Sequence, residues 1–565
     1  MSVVPTDLEI ARAARLRPIA DVAEDLSIPP DLLEPWGPGV AKIGLEAIDR
    51  MGDPRAGYVV VTATTPTPFG EGKTTVSVGL AQALNRLGHP TAVALRQPSL
   101  GPTFGIKGGA AGGGRSQVVP MERLNLHLTG DFHAVTSATN LTAALIDAHL
   151  YHGNRCDIEL HDVPWNRVLD VNDRALRNVT IGLGAKVDGV PRQSSFDITA
   201  ASEVMAILAL ATDLDDLRTR LGRAVVAYDR SGKPVTADDI GAAGSMAVLL
   251  HEALQPNLMQ TLEGTPAIIH AGPFANIAHG ASSIVADAIA MRGADFVVTE
   301  AGFGADVGAE KFFNLKSRAS GLEPAVAVVV TTVRGLKAQS GKHHIRAGRP
   351  LPDEMLEERP DEVTTGAENL RHHVGIVRRH GVQPVVAINA FPDDHASEHQ
   401  AIAEVCEDLG VRHAVAYPHG GGGAGCEDLA SEVRDAAAEG SSFEMLYPDD
   451  LPLKDKIERI ATEVYGADGV VYEAKARTNL ARFEDMGWGH LPICMAKTQM
   501  SISHDPNLKG APKGWELPIR DVRASVGAGF ILPLAGSIRT MPGLGSQPAA
   551  VSIDFDEAGE IVGLF

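Results

Sequence analysis

The residues best able to do chemistry lie in one short segment, Thr67-Pro68-Phe69-Gly70-Glu71-Gly72-Lys73-Thr74-Thr75. Its glycines can turn backbone N–H groups inward, its lysine can neutralise phosphate charge, and a hydroxyl beside the lysine can reach a divalent cation. This is the chemistry of a loop that binds a nucleoside triphosphate, with Thr67, Pro68, Gly70, Glu71, Gly72, Lys73, Thr74 and Thr75 as its contacts. Lys73 is the expected catalytic cation on the outer phosphates, and Thr74 the expected Mg²⁺ ligand. Thr67 stands where such loops usually begin with glycine, so the match is incomplete. The plainer alternative is a glycine-rich turn carrying a solvated lysine. A second candidate, Arg96, precedes Gln97-Pro98-Ser99-Leu100-Gly101-Pro102 and the cluster Gly105-Ile106-Lys107-Gly108-Gly109-Ala110-Ala111-Gly112-Gly113-Gly114. Clustered glycines cost conformational entropy and suit places where backbone closely approaches a ligand or another backbone.

A phosphate loop must leave a strand and open a helix. The apolar run 58–63 and the amphipathic stretch 74–87 meet that requirement. Further buried strands are expected at 91–95, 266–269, 296–299, 325–332 and 385–388, alternating with helices at 141–150, 199–211, 282–292, 368–379 and 401–409. The alternation implies an α/β fold with a mainly parallel, doubly wound sheet whose ligands gather at the carboxyl ends of the strands. The polar stretch 343–365 reads as a surface excursion and domain boundary, and a second boundary is expected near 447–450. The expected division is a nucleotide-binding domain over 1–365, a smaller α/β domain over 366–450 and a C-terminal α/β domain over 451–565.

Composition narrows the class. With 565 residues, 44% hydrophobic, 21% charged and 59 glycines, the chain is globular and large enough for several domains. A net charge of −21 gives no nucleic-acid footprint and opposes binding to anionic membranes. No apolar run approaches a membrane span, and no signal-like segment opens the sequence, so a cytoplasmic location is expected. Cys156, Cys406, Cys426 and Cys494 lack metal-ligand or redox spacing and read as buried thiols. His343-His344 and His372-His373 lack the i, i+4 spacing of metal ligands and read as solvated.

From the glycine cluster onward the chain resembles the formate–tetrahydrofolate ligase family. The resemblance runs through Asn125-Leu126-His127-Leu128-Thr129-Gly130-Asp131, Gly272-Pro273-Phe274-Ala275-Asn276-Ile277-Ala278-His279-Gly280 and Thr299-Glu300-Ala301-Gly302-Phe303-Gly304-Ala305-Asp306, and ends with Met495-Ala496-Lys497-Thr498-Gln499 and Ser503-His504-Asp505-Pro506-Asn507-Leu508-Lys509-Gly510. It implies ATP-dependent formylation of tetrahydrofolate to 10-formyltetrahydrofolate through formyl phosphate, with Mg²⁺, a monovalent cation and a homotetramer. It further implies that Arg96 holds the acyl phosphate, and that Phe391 and Tyr417, the latter standing where the family usually has tryptophan, sandwich the folate. Formate is already ionised, so the first step needs positive charge rather than a base. Two unit anions about 4 Å apart repel by roughly 4 kcal/mol at an effective dielectric near ~20. Lys497 and Gln499 are further candidates for reaching phosphates or another subunit.

Several positions depart from the family's pattern. Gln97, Arg115, Arg123 and Gln193 replace acidic or neutral residues with neutral or basic ones, and Arg334-Gly335-Leu336-Lys337 replaces a string with alanine at its second position. If the first four lined one pocket, that pocket would favour a more anionic ligand or a differently bound folate tail. Two alternatives to the ligase therefore stand: a paralogue using acyl-phosphate chemistry on another carboxylate or acceptor, and a nucleotide-binding protein that has lost ligation.

Overall fold

The computed structural model describes residues 5–68, 70–105, 111–343, 345, 351–536 and 538–564. Eight strands form the body of its large sheet: β1 (Gly57–Ala63), β2 (Thr91–Leu95), β3 (Asn257–Thr261), β4 (Pro266–Ile269), β5 (Phe296–Glu300), β6 (Val326–Thr331), β7 (Gln383–Asn389) and β8 (Arg412–Ala416). They lie in the order β3-β4-β2-β5-β1-β6-β7-β8. From β4 to β8 every neighbouring pair is parallel, and β3 joins β4 antiparallel, so the sheet is mixed but mostly parallel.

Helices cover both faces, as parallel strands require. They include α1 (Lys73–Arg86), α2 (Ile284–Gly293), α3 (Val333–Gln339), α4 (Glu368–Arg379), α5 (Ala396–Asp408) and α6 (Glu427–Glu439). Side chains alternate across β1: Tyr58 and Val60 enter one core, and Val59, Val61 and Ala63 enter the other with α1 residues Val76, Leu80 and Leu84. From β1 the chain crosses one way to β2 and later, after β5, the other way to β6. β1 is therefore a topological switch point, where open α/β sheets leave a crevice for ligands.

The expected strands at 58–63, 91–95, 266–269, 296–299, 325–332 and 385–388 agree with β1, β2, β4, β5, β6 and β7 to within two residues. β3 and β8 were not expected. Asn257, Gln260, Arg412 and His413 interrupt their apolar runs, and tertiary pairing rather than pattern makes them strands. The helix expected at 141–150 begins earlier, at Asp131, whose carboxylate is tied to buried Lys42 at 2.9 Å. Within 366–450, β7 and β8 extend the sheet that carries β1. Near the C-terminus, β9 (Gly469–Tyr472), β10 (Glu516–Ser525) and β11 (Phe530–Ala535) form a separate three-stranded sheet.

The histidine expectation needs correction. His373 is fully buried on the inward stripe of α4 with Leu370, Val374 and Val377, and His372 bonds the Val464 carbonyl at 2.7 Å. His343 is also largely buried, 2.6 Å from Glu362, while His344 lies outside the described residues. The 3.6-residue period of α4 decides which ring turns inward, and ring polarity does not prevent it. Cys406, Cys426 and Cys494 are buried thiols, and Cys156 is partly buried.

Candidate functional site

The segment between β1 and α1 is braced from within. Thr67 N–H donates to Glu71 Oε1 at 2.7 Å, and Gly70 N–H donates to the Thr67 carbonyl at 3.0 Å. Gly70 and Gly72 have φ of 76° and 68°, a left-handed backbone that glycine adopts without strain. A Cβ at Gly72 would also collide with Asn389 Nδ2, which donates to the Glu71 carbonyl at 2.9 Å. The Glu71 carboxylate accepts a second hydrogen bond from Thr332 Oγ1, at the end of β6. The Glu71 carboxylate thus braces the loop from within. Pro68 lies in the turn of this loop, Thr75 lies in the first turn of α1, and Phe69 falls outside the described residues.

Gly72 caps α1 without a side-chain hydrogen bond, and the helix's first turn holds no acidic residue and does hold half-buried Lys73. Helix N-termini favour negative charge, so a lysine there fits an anion held between ammonium and amides. One residue on, Thr74 Oγ1 donates to Glu300 Oε2 at 3.2 Å, and Ser77 Oγ donates to Glu300 Oε1 at 2.9 Å. Glu300 is the last residue of β5, the neighbour of β1, and is buried at the base of the loop. A threonine hydroxyl and a carboxylate are oxygen donors suited to a hard divalent cation that keeps part of its water shell.

Arg96 follows β2, one strand beyond β5. Its Nη1 donates to the Pro273 carbonyl at 3.0 Å, and among the described residues no carboxylate pairs with it as an ion pair. Burial lowers its pKa and the charge of Glu300 raises it; guanidinium stays cationic throughout the physiological range. The loops around it are packed close: a Cβ on Gly302 would come 2.5 Å from Ala275 Cβ and 3.4 Å from Arg96 Nη2. Ala271 and Phe303, both with positive φ, lie in these loops. Phe303 precedes two wide-turned helical segments, Ala305–Ala309 and Phe312–Ser317. Backbone strain of this kind gathers where a site is held in one geometry. His279 is buried nearby, and burial together with the charges of Lys316 and Arg96 holds its pKa well below the ordinary histidine value. Of the glycine cluster, 106–110 lies outside the described residues.

On the other side of β1, Thr65 Oγ1 lies 3.1 Å from His373 Nε2, whose pKa burial pushes down to about 4. Phe391 and Tyr417 leave the adjacent ends of β7 and β8, where Asn389 pairs with Ala416. Phe391 is partly buried beneath the Arg334 guanidinium, 3.8 Å from its ring centroid, and Tyr417 is 55% exposed. The described residues of the loop from Thr67 to Thr75, with Arg96, Phe391 and Tyr417, therefore lie at or just beyond the carboxyl ends of β1, β2, β7 and β8. Sequence reasoning passed over Glu300, Thr332, Arg334 and Asn389. Glu300 had a signal, being an acid that ends an apolar strand beside a glycine string. Arg334 stood in a string already noted as departing from the family's pattern, whereas Thr332 and Asn389 do not differ in sequence from ordinary strand-end polar residues.

Two expectations are corrected. Lys497 does not reach toward the loop: its Nζ sits 2.6 Å from Asp306, and both side chains are fully buried. Gln499 accepts from Asn276 Nδ2 at 3.0 Å. An apolar approach followed by a lysine reads equally well as a buried pair, and removing one partner of such a pair typically costs ~3–5 kcal/mol. The four charge-altering departures do not line one pocket. Gln97 is buried beside Arg96, whereas Arg115 is exposed near Gly422, Arg123 donates to the Trp36 carbonyl at 2.6 Å, and Gln193 meets Asn178 in a peripheral hairpin.

Comparison with known proteins gives the family. The family model described as formate–tetrahydrofolate ligase matches residues 5–565. Formate–tetrahydrofolate ligases from Saccharopolyspora erythraea and Roseiflexus sp. are 62% and 60% identical over 562 and 561 residues, each covering 99% of this chain and 100% of the relative. One from Cutibacterium acnes is 56% identical with the same coverage.

Proposed function

The chain belongs to the formate–tetrahydrofolate ligase family and ligates formate to tetrahydrofolate at the expense of ATP; from that premise we propose that its chemistry runs along the carboxyl edge of the sheet, centred on β1. The loop from Thr67 to Thr75 binds the ATP phosphates, with Lys73 on the outer phosphates. Thr74, with Glu300 behind it, would hold Mg²⁺, which supplies charge neutralisation at the phosphate oxygens.

A formate oxygen attacks the γ-phosphorus and the bond to the ADP oxygen breaks, giving formyl phosphate. Arg96 orients this anion with its planar fork. A folate amine then attacks the formyl carbon, the carbon–oxygen bond to phosphate breaks, and the amine loses a proton as 10-formyltetrahydrofolate forms. Phe391 and Tyr417 stack the folate. On resemblance alone we also propose a homotetramer, a monovalent cation activator and a cytoplasmic location; among the described residues no helix is long and apolar enough to cross a membrane. The segment 1–365 would supply the phosphate chemistry, 366–450 the folate side, and 451–565 an outer domain.

The observation that carries this reading is Arg96 at the end of β2, in no ion pair among the described residues, beside the Thr74–Glu300 pair whose charge acts on it. A cation left so is available to an anionic intermediate. The scatter of Gln97, Arg115, Arg123 and Gln193 removes the reason to prefer another carboxylate. The test is ATP turnover by purified protein with formate and tetrahydrofolate added singly and together. Full turnover is expected only with both, and undiminished turnover without formate would reject the scheme.

A further inference from the structure

The phosphate loop and the Phe391 side of the site are joined by one side chain that the proposed mechanism does not use. Arg334 Nη2 donates to the Gly70 carbonyl at 2.9 Å, and the same guanidinium lies over the Phe391 ring at 3.8 Å. Among the described residues its Nε is buried without a hydrogen-bond partner. Arg334 stands in the first turn of α3, which is firmly anchored. Thr332 caps the helix by accepting from Gly335 N–H at 2.9 Å while its hydroxyl donates to Glu71, and buried Lys337 lies 2.5 Å from Glu398.

Peptide geometry gives these contacts a direction. In a trans peptide the C=O of one residue and the N–H of the next point opposite ways. Arg334 holds the Gly70 carbonyl, so the Glu71 N–H faces away from Arg334. Asn389 holds the Glu71 carbonyl, so the Gly72 N–H faces away from Asn389. Among the described residues neither N–H has an intramolecular acceptor. Two consecutive carbonyls tied back with their amides left over make an anion-binding nest, and the left-handed Gly70 and Gly72 allow it. Both ties lead to the Phe391 strand: Asn389 is two residues before Phe391, and Arg334 rests on its ring.

We propose that Arg334 is a positioning residue that couples phosphate binding in the loop to ligand stacking on Phe391. Phosphate in the nest fixes the Gly70–Glu71 peptide, the fixed carbonyl holds the guanidinium, and the guanidinium backs one face of Phe391, leaving the other for the acceptor. Linkage is reciprocal, so each ligand tightens the other by the same factor. Gly335 belongs to the same device. A Cβ there would come 2.9 Å from Glu71 Oε2, so this chain's glycine, where the family's pattern has alanine, lets the loop brace sit directly on the α3 turn.

The inference rests on Phe391 being the acceptor platform. The experiment measures the Kd of tetrahydrofolate with and without a saturating non-hydrolysable ATP analogue and Mg²⁺, by titration calorimetry on the full chain. Wild type is expected to show coupling of about tenfold. In Arg334→Ala the factor should fall to near one, while each ligand alone binds within about threefold of wild type. Arg334→Lys, which keeps the charge and loses the planar stack, should retain about half of the coupling on a logarithmic scale. A coupling factor unchanged in Arg334→Ala, or absent in wild type, overturns the inference, as does an equal weakening of both ligands with the factor intact. Phe391→Leu separates the two layers. If it leaves tetrahydrofolate affinity unaltered, the platform reading itself fails; if it weakens affinity while Arg334→Ala leaves coupling intact, only the inference fails.

Discussion

The two flanks of β1 are built differently. Toward β2 and β5 the strand ends carry charge, with Arg96 and Glu300 buried or half-buried in loops packed against one another. Toward β6, β7 and β8 they carry hydroxyl, amide and aromatic groups, with Arg334 over Phe391 and Tyr417 exposed. The charged flank suits small anions, for which a few fixed cations supply most of the interaction and displacement by an ångström matters. The aromatic flank suits a large, flat, mostly neutral ligand whose binding comes from contact area. With strands about 4.8 Å apart, the ends carrying Arg96 and Phe391 lie roughly 19 Å from each other. On the proposed assignment, the substrates would meet over the phosphate loop between them.

The sharpest way to break this contrast is to remove the cation at its centre. Lys73→Ala is expected to lower turnover by ~10²-fold or more without unfolding the chain, because it takes charge neutralisation from the outer phosphates. Turnover together with the thermal transition checks it. Wild-type rates in a folded variant would falsify the phosphate-loop assignment.

On the charged flank, Arg96→Lys should keep ATP affinity within about threefold and lose roughly tenfold or more in kcat, since an ammonium offers a point charge in place of two parallel N–H donors. ATP binding and single-turnover rate, measured separately, decide the matter. Parallel losses in both would make Arg96 a nucleotide contact and leave the acyl phosphate without its holder.

These two flanks were unequally legible. The loop could be proposed as a phosphate site because that function requires glycine, lysine and threonine at fixed spacing between an apolar run and an amphipathic one, and it does lie between β1 and α1. Arg96 could be proposed because it leaves a strand and enters a glycine cluster. The brace could not. Thr332 and Asn389 act on Glu71 across 261 and 318 residues of sequence, and nothing local to either distinguishes a brace from an ordinary strand end. Lys497 misled for the converse reason, since a lysine after an apolar segment looks the same whether it meets a ligand or the buried Asp306. Strand and helix periods gave the sheet, and contacts that cross it supplied what the periods could not.

The brace gives a smaller effect that separates loop shape from loop charge. Thr332→Val removes the hydroxyl that donates to Glu71 and caps α3. A buried carboxylate deprived of a donor costs about 1–3 kcal/mol. The expected result is an ATP KM raised about tenfold, at roughly 1.4 kcal/mol per factor of ten, with kcat changed much less. An unaltered KM would mean that the loop keeps its shape without the Glu71 brace.

The smallest effects belong to the aromatic flank, and their distribution is the informative part. Phe391 is partly buried and backed by Arg334, so its ring is already ordered before any ligand arrives. Tyr417 is 55% exposed and follows a strand end with only its backbone fixed, Tyr417 N–H donating to the Gly425 carbonyl at 2.8 Å. An ordered ring loses less conformational entropy on stacking than a mobile one, and aromatic pairs contribute about 0.5–1.5 kcal/mol beyond area burial. Phe391→Leu should therefore raise the tetrahydrofolate KM about tenfold, and Tyr417→Leu only about threefold. The ATP KM should stay nearly constant in Tyr417→Leu and rise modestly in Phe391→Leu, where the Arg334 contact is also lost. Steady-state kinetics with each substrate varied at saturation of the others makes the comparison. If Tyr417→Leu proves the more damaging of the two, the exposed ring carries the stacking, and the partial burial of the Phe391 ring is not what sets affinity on this flank.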